Sequence, residues 1–303
     1  MNNKVLLIIL VVLVAIYAFT KFNSNEEREF NFFGVDSSDV AKIEFSQKSE
    51  KIVLAKSGDN WKMVEPLESE LEERNLNNIF SKALVVTTSE IPVSEKESAQ
   101  EIYNLTDSLA TNVKVYDRSG KVLADVLLGK SKQWNNTPAR KNGDNKIYRL
   151  NSNISRTFNT DKDYWRNKEV LYLFPEQIQE MSLKADDLDY KVTATDSLWK
   201  VEYRDQVINV DENNDFLSAV FENLKKVKVA KFYYDDYSKV ADKFESPEFT
   251  LVIKKRSGEK ITLTFAESDE SQHRLMKIND NEDKVYYVSK WWSDKFVQRA
   301  KLI

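Results

Sequence analysis

The sequence predicts an α+β protein in which an N-terminal transmembrane helix is followed by two tandem copies of one antiparallel-sheet-plus-helix domain. Three observations carry this expectation. Residues 5–20 read VLLIILVVLVAIYAFT, an uncharged apolar run flanked by Lys4 and Lys21. A shift of 138 residues lays the second half on the first: Trp61 and Lys62 fall on Trp199 and Lys200, Arg118-Ser119-Gly120 on Arg256-Ser257-Gly258, Lys146 and Tyr148 on Lys284 and Tyr286, and Phe158 on Phe296. Within each half, short runs of alternating apolar and polar residues surround one stretch of helical periodicity. A length of 303 residues leaves room for two separate cores.

The apolar run comes first. At 1.5 Å per residue it reaches about 24 Å as a helix, short of a hydrocarbon core of about 30 Å unless the flanking lysines snorkel. A cleaved signal peptide is the rival, and it requires a small-x-small site, whereas this run closes on Ile16-Tyr17-Ala18-Phe19. The order expected is a cytoplasmic end over 1–4, a transmembrane anchor over 5–20 and a tether over 21–35, then copies over 36–170 and 171–303. The aromatic end of the tether, Phe30, Phe32 and Phe33, is expected to dock on the first copy. With so little chain ahead of Lys4, the ordinary outcome is an N-terminus inside and a body in the periplasm or outside the cell.

In the first copy, alternation around Ile43 and Phe45, Ile52 and Leu54, and Trp61 and Met63 predicts three antiparallel strands. Leu76, Ile79, Phe80 and Ala83 then follow the i, i+3, i+4, i+7 spacing of one helix face. Leu217, Val220, Phe221 and Leu224 repeat that spacing, with Leu76 and Phe80 meeting Leu217 and Phe221 at a shift of 141, so a three-residue loop difference separates the copies there. VKVYDRSGKVLADVLLG and LVIKKRSGEKITLTF each hold two alternating runs meeting at Ser-Gly, a hairpin signal because glycine supplies positive φ. A further strand and a short helix are expected around Tyr148 to Phe158 and Tyr286 to Phe296. The matched Trp61 and Trp199 are expected to pack between sheet and helix.

Composition narrows the chemistry. Lys and Arg total 45 against 49 Asp and Glu, interspersed along the chain, so no nucleic-acid footprint is present. The absence of cysteine excludes disulfides, thiolate metal sites, a cysteine nucleophile and a lipidated N-terminal cysteine. The only histidine, His273, has Asn135 as its counterpart and no identifiable acid or nucleophile to work with. Three acidic clusters, Asp186-Asp187-Asp189, Asp211-Glu212-Asp215 and Asp280-Glu282-Asp283, fall between predicted elements and do not follow the calcium-loop pattern; they read as solvated turns and a helix start. No phosphate-binding loop, dinucleotide fingerprint or nucleophile elbow occurs. No catalytic residue, cofactor or metal ligand is therefore expected, and the protein is not expected to be an enzyme.

The succession of an N-terminal apolar run, strands leading to W-K-x-V, a helix with L-x-x-I-F, a hairpin ending in LLG, then PARKNGDNKIYRL and YWRNKEVL, is similar to the family called domain of unknown function 4340. The resemblance covers most of the chain beyond the apolar run. That family often carries Arg-Asp-Lys where this chain has Arg166, Asn167 and Lys168, so the triplet is not read as a site. The resemblance implies a context, since genes of the family often neighbour an ABC transporter permease and a gliding-type auxiliary transport protein, and it implies no catalytic residues. The function expected is a non-enzymatic extracytoplasmic accessory or scaffold protein of a membrane ABC-type transport complex, at the inner membrane. The alternatives are an extracytoplasmic glycan-, peptide- or lipid-binding module, suggested by clustered aromatics, and a carboxylate-dependent envelope hydrolase. Tyr233, Tyr234, Trp291 and Trp292 form the candidate partner surface, because the 138-residue shift pairs them with Glu95, Lys96, Asn153 and Ile154. Core demands are shared by both copies, so aromatics special to one copy point to a special task.

Overall fold

Inward-facing Ile, Val, Leu and Phe at every second position, each removing its apolar surface from water on one face only, give the chain two sheets that must each be covered by a helix. The structure, a computed structural model, describes residues 10, 12–16, 28–131, 133–282 and 284–297. It falls into two units, Met1–Arg166 and Asn167–Ile303.

The first unit is built on an eight-stranded antiparallel sheet of β1 (Lys42–Gln47), β2 (Glu50–Ser57), β3 (Asn60–Glu65), β4 (Ser69–Glu70), β5 (Thr111–Tyr116), β6 (Val122–Leu128), β7 (Thr137–Lys141) and β8 (Tyr148–Leu150). Their order is β4-β3-β2-β1-β5-β6-β7-β8. Between β4 and β5 the chain forms α1 (Glu73–Asn78), which runs on as one π turn over Ile79–Ala83. Ile43, Phe45, Leu54, Met63, Val113, Val115 and Val126 are fully buried beneath it.

The second unit repeats this frame. Its sheet contains β9 (Ile178–Ala185), β10 (Asp189–Ala194), β11 (Trp199–Tyr203), β12 (Gln206–Val210), β13 (Lys231–Phe232), β14 (Phe249–Lys255), β15 (Lys260–Glu267), β16 (His273–Ile278) and β17 (Val285–Ser289). The order is β12-β11-β10-β9-β14-β15-β16-β17-β13, which is the first unit's order with one short strand added at the end. Registers agree as well. Ile43 faces Leu54 and Val115, and Met181 faces Val192 and Ile253, each 138 residues on. The spacing drops to 137 in the hairpin's second strand, where a bulge opposite Val115–Tyr116 adds a residue to β6, so that Val113–Val126 is matched by Leu251–Leu263.

Between β12 and β13 lies α2 (Asp215–Lys225), whose Asn214 cap accepts from the Phe216 and Leu217 amides at 3.0 and 3.3 Å. Each helix is joined to its sheet by the same pair of rings: Trp61 and Phe80 lie 5.4 Å apart in the first unit, Trp199 and Phe221 4.9 Å apart in the second. The Ser-Gly turns also agree, with Gly120 at φ +84° and Gly258 at φ +89°. The glycine of the LLG motif has a different reason: a Cβ on Gly129 would lie 2.2 Å from the Tyr103 carbonyl oxygen.

One expectation needs correction. After β8 the first unit has turns rather than a helix through Phe158, and the helical turn comes later, at Lys162–Trp165; the second unit does form the expected helix, α3 (Lys290–Val297). The difference follows from Asn151, Asn153 and Ser155, whose side chains bond neighbouring backbone and loop groups and so compete with helical pairing. The aromatic end of the tether belongs to the first core: Phe30 lies in a strand, Glu29–Asn31, paired with Thr87–Ser89, and Phe32 and Phe33 are buried. The Lys141 ammonium donates to the carbonyls of both and sits 4.7 Å over the Phe32 ring. Of the proposed anchor, only Leu10 and Val12–Ile16 are described, as helix; residues 1–4, the rest of 5–20 and tether residues 21–27 lie outside the described residues. Among the described residues no helix is long and apolar enough to cross a membrane.

One buried polar group is out of keeping with its place. Tyr190 occupies the position held by Ile52 in the first unit, packs edge-on against Phe216 at 5.1 Å, and its hydroxyl has no hydrogen-bond partner among the described residues. Burial pushes this phenol well above its ordinary range. The folded chain thus keeps the proton at a pH where the unfolded chain, titrating near 10.0, has lost it, so the tyrosine's share of stability is intact below that pH and lost as pH rises above it. Tyr190→Phe should be as stable as the native chain at pH 7, or more stable by about 1 kcal/mol, with an advantage that grows above pH 10. Urea midpoints measured across that range check this; a loss of stability at pH 7 would mean that the hydroxyl has a bonding partner.

Candidate functional site

The amphipathic sequence KWWSDKFV places Trp292 and Phe296 four residues apart on the inner face of α3 and Trp291 on the outer. Phe296 is fully buried, and the half-buried Trp292 ring lies 5.2 Å from it and 6.2 Å from Phe265. Trp291 is 72% exposed, with the Lys295 ammonium 3.9 Å over its ring. α3 is held to the sheet by Arg274, whose guanidinium donates to Glu248 at 2.9 Å, Asp294 at 2.6 Å and Ser293 at 2.8 Å.

The tyrosines divide in the same way. Tyr233 follows β13, donates its amide to the Val285 carbonyl at 3.1 Å, and packs its ring 6.0 Å from Tyr287. Tyr234 is 46% exposed and lies 6.3 Å from Phe232. Of the four candidate residues, Tyr233 and Trp292 therefore serve packing, and Tyr234 and Trp291 present large aromatic surface to solvent.

A second feature had no signal in the sequence. Between α2, the turn at Phe174–Gln177 and the β10–β11 hairpin lies a groove of about 480 Å³, adjoined by one of about 210 Å³ that shares Pro175, Glu176 and Glu212 with it. Trp199 and Phe221 form its floor, and Phe174 and Leu198 stand partly exposed at its sides. Three glutamates, Glu176, Glu212 and Glu222, gather around Lys225. The Glu222 hydrogen bond at 2.5 Å, with the charges of Glu176 and Glu212 behind it, holds that ammonium above the ordinary lysine range. These residues are spread between 174 and 256, and only the Asp211-Glu212 pair stood out in the sequence, as a helix start.

The remaining candidates are placed as follows. His273 opens β16, with Nδ1 3.0 Å from a Glu270 carboxylate oxygen that also accepts from Lys231. Asp186 and Asp187 lie between β9 and β10, Asp211 and Glu212 precede α2, and Asp280 and Glu282 fall between β16 and β17; Asp283 lies outside the described residues. No group of three His, Asp or Glu side chains among the described residues could hold a metal ion. In the Arg166-Asn167-Lys168 stretch, Asn167 accepts from the Glu169 amide at 2.9 Å and the Lys168 ammonium donates to the Ala230 carbonyl at 3.1 Å. Trp134, 88% exposed in the loop before β7, is a further outward aromatic that the repeat comparison did not single out.

The division among the aromatics can be measured. Trp292→Ala should cost about 3 kcal/mol in urea unfolding, as loss of a packed aromatic does, whereas Trp291→Ala should stay within about 0.5 kcal/mol of the native chain. Equal costs would mean that Trp291 is packed too.

A family model described as a domain of unknown function matches residues 61–243, from Trp61 in β3 to Lys243 in the helix Ala241–Glu245 of the second unit. No curated protein and no solved structure matches the chain. With that match covering more than half of its length, the chain belongs to the family Domain of unknown function (DUF4340).

Proposed function

We propose that this protein is a non-enzymatic accessory or scaffold protein of a membrane-bound, ABC-type transport complex. In this reading residues 5–20 hold it in the inner membrane with the N-terminus inside, and its two units, copies of one domain, stand on the outer side. The observation that carries the reading is the outward presentation of Trp291 and Tyr234 in the second unit, each beside a ring turned inward, Trp292 and Phe232. An exposed tryptophan on a helix that is itself pinned by Arg274 offers a rigid aromatic anchor, the residue type that dominates contact energies when a partner covers it. The shared strand order and registers support duplication, and the gene context implied by the resemblance supplies the transport complex. A second reading, an extracytoplasmic binding module for a peptide, glycan or lipid, is favoured by the aromatic-floored groove beside α2.

Two outcomes are expected. Tagged full-length protein should remain in the membrane fraction at high salt, because the apolar run holds it hydrophobically; a salt-soluble mature form beginning near Phe19 would overturn the anchor. In detergent, the double variant Trp291→Ala, Tyr234→Ala should lose copurifying transport components while its thermal unfolding stays close to native. Unchanged copurification would remove these residues from the contact, and hydrolytic activity of the purified body would remove the non-enzymatic reading.

A further inference from the structure

The two units differ at one sheet edge. In the first unit the outermost strand, β4, is two residues long and is flanked by Pro66, Glu68 and Glu72. Its continuation is already covered, since Leu71 forms an antiparallel bridge with Arg166 and the Glu72 amide donates to the Trp165 carbonyl at 2.8 Å. In the second unit the strand in that position, β12, has five residues, Gln-Val-Ile-Asn-Val, with neither proline nor charge to blunt it. Among the described residues only β11 pairs with it. Because the hairpin closes on Tyr203 and Gln206 around a two-residue turn, Val201–Ile208 is a hydrogen-bonded pair, and the N–H and C=O groups of Val207 and Asn209 point away from β11. The Val207 side chain is 60% exposed.

Charge at the strand ends says what fits. Arg204 and Asp205 share the turn at one end, and Asp211 and Glu212 stand at the other, where the acidic groove with Glu176 begins. A second copy pairing antiparallel, Val207 against Asn209, would set Asp205 opposite Asp211 and Arg204 opposite Glu212, a repulsion and an attraction that offset, so self-pairing gains nothing from charge. A segment whose basic residues lie beside Asp211, Glu212 and Glu176 would meet opposite charge there, a gain that self-pairing lacks.

We infer that β12 is a strand-addition site for an extended, basic segment of a partner protein, the counterpart in trans of the Trp165–Arg166 segment on the first unit's edge. The inference rests on the reading of this protein as one that acts by contact, but not on its aromatic surface. β13, which precedes Tyr234, closes the other end of the sheet order, roughly 40 Å away at the usual strand spacing.

Full-length protein in detergent is titrated into the fluorescein-labelled peptide Lys-Lys-Val-Thr-Val-Thr-Val-Lys-Lys and followed by anisotropy. Saturable binding is expected, abolished by N-methylation of alternate peptide amides and weakened about tenfold by Asp205→Lys with Glu212→Lys. The Trp291→Ala, Tyr234→Ala variant should bind as the native chain does, so loss of the aromatic contact and loss of this site are separate results. No saturable binding, or equal binding of the N-methylated peptide, overturns the proposal. So does concentration-dependent dimerisation in sedimentation that Val207→Lys abolishes, because the occupant would then be a second copy.

Discussion

The pairing of β1 with β5, and of β9 with β14, is the constraint on which the rest of each unit depends. Four strands form a meander outward from β1, so the chain then stands at one edge of the sheet while the open side of β1 is at its centre. To pair there it must cross a face of the sheet, and the crossing segment is the one with a helical apolar stripe. The helix therefore covers the inward side chains in the same act that closes the sheet, and Trp61–Phe80 and Trp199–Phe221 mark where the two layers meet. Breaking the central pairing would strip the sheet and its helix of each other at once.

Where the outer face of each sheet is open to water it is polar and laced with ion pairs: Lys51 with Glu44 and Glu65, Lys114 with Asp125, Lys191 with Glu180, and Lys200 with Glu202. Such exposed pairs contribute little each. Their effect is to keep a broad flat surface solvated and its register unambiguous, since a one-residue slip would carry every lysine and glutamate into the core. The larger core of each unit lies on the inner face, and a smaller cluster covers part of the outer face, around Leu105 and Leu127 in the first unit and around Phe244 and Leu275 in the second.

The two units diverge where this shared strand order permits it, at loops, edges and the closing helix. The first unit spends its closing segment on its own sheet edge and draws Phe32 and Phe33 into its core through Lys141. The second turns its closing helix into a platform pinned by Arg274, and leaves both β12 and the α2 groove accessible. Shared positions thus answer to folding, and unshared ones are where contact with other molecules can be sought. Family membership is silent on the contacts.

Periodicity in the sequence was enough to determine the α+β class, the strands around Ile43, Ile52 and Trp61, both helix faces, both Ser-Gly hairpins and the correspondence of the halves, because each depends on a local pattern of side chains against a two-fold or 3.6-fold backbone repeat. Tertiary structure decided which of the four candidate aromatics face out. Trp291 and Trp292 are adjacent in sequence and alike in hydrophobicity, and only the placement of Phe265 and Phe296 buries one and not the other. It also decided the groove, whose walls come from residues 174 to 256, and the open edge of β12, since whether a strand is central or outermost is a property of its neighbours. A strand's own sequence records which face is buried. It does not record what, if anything, lies beside it, because backbone hydrogen bonding is the same for every residue but proline.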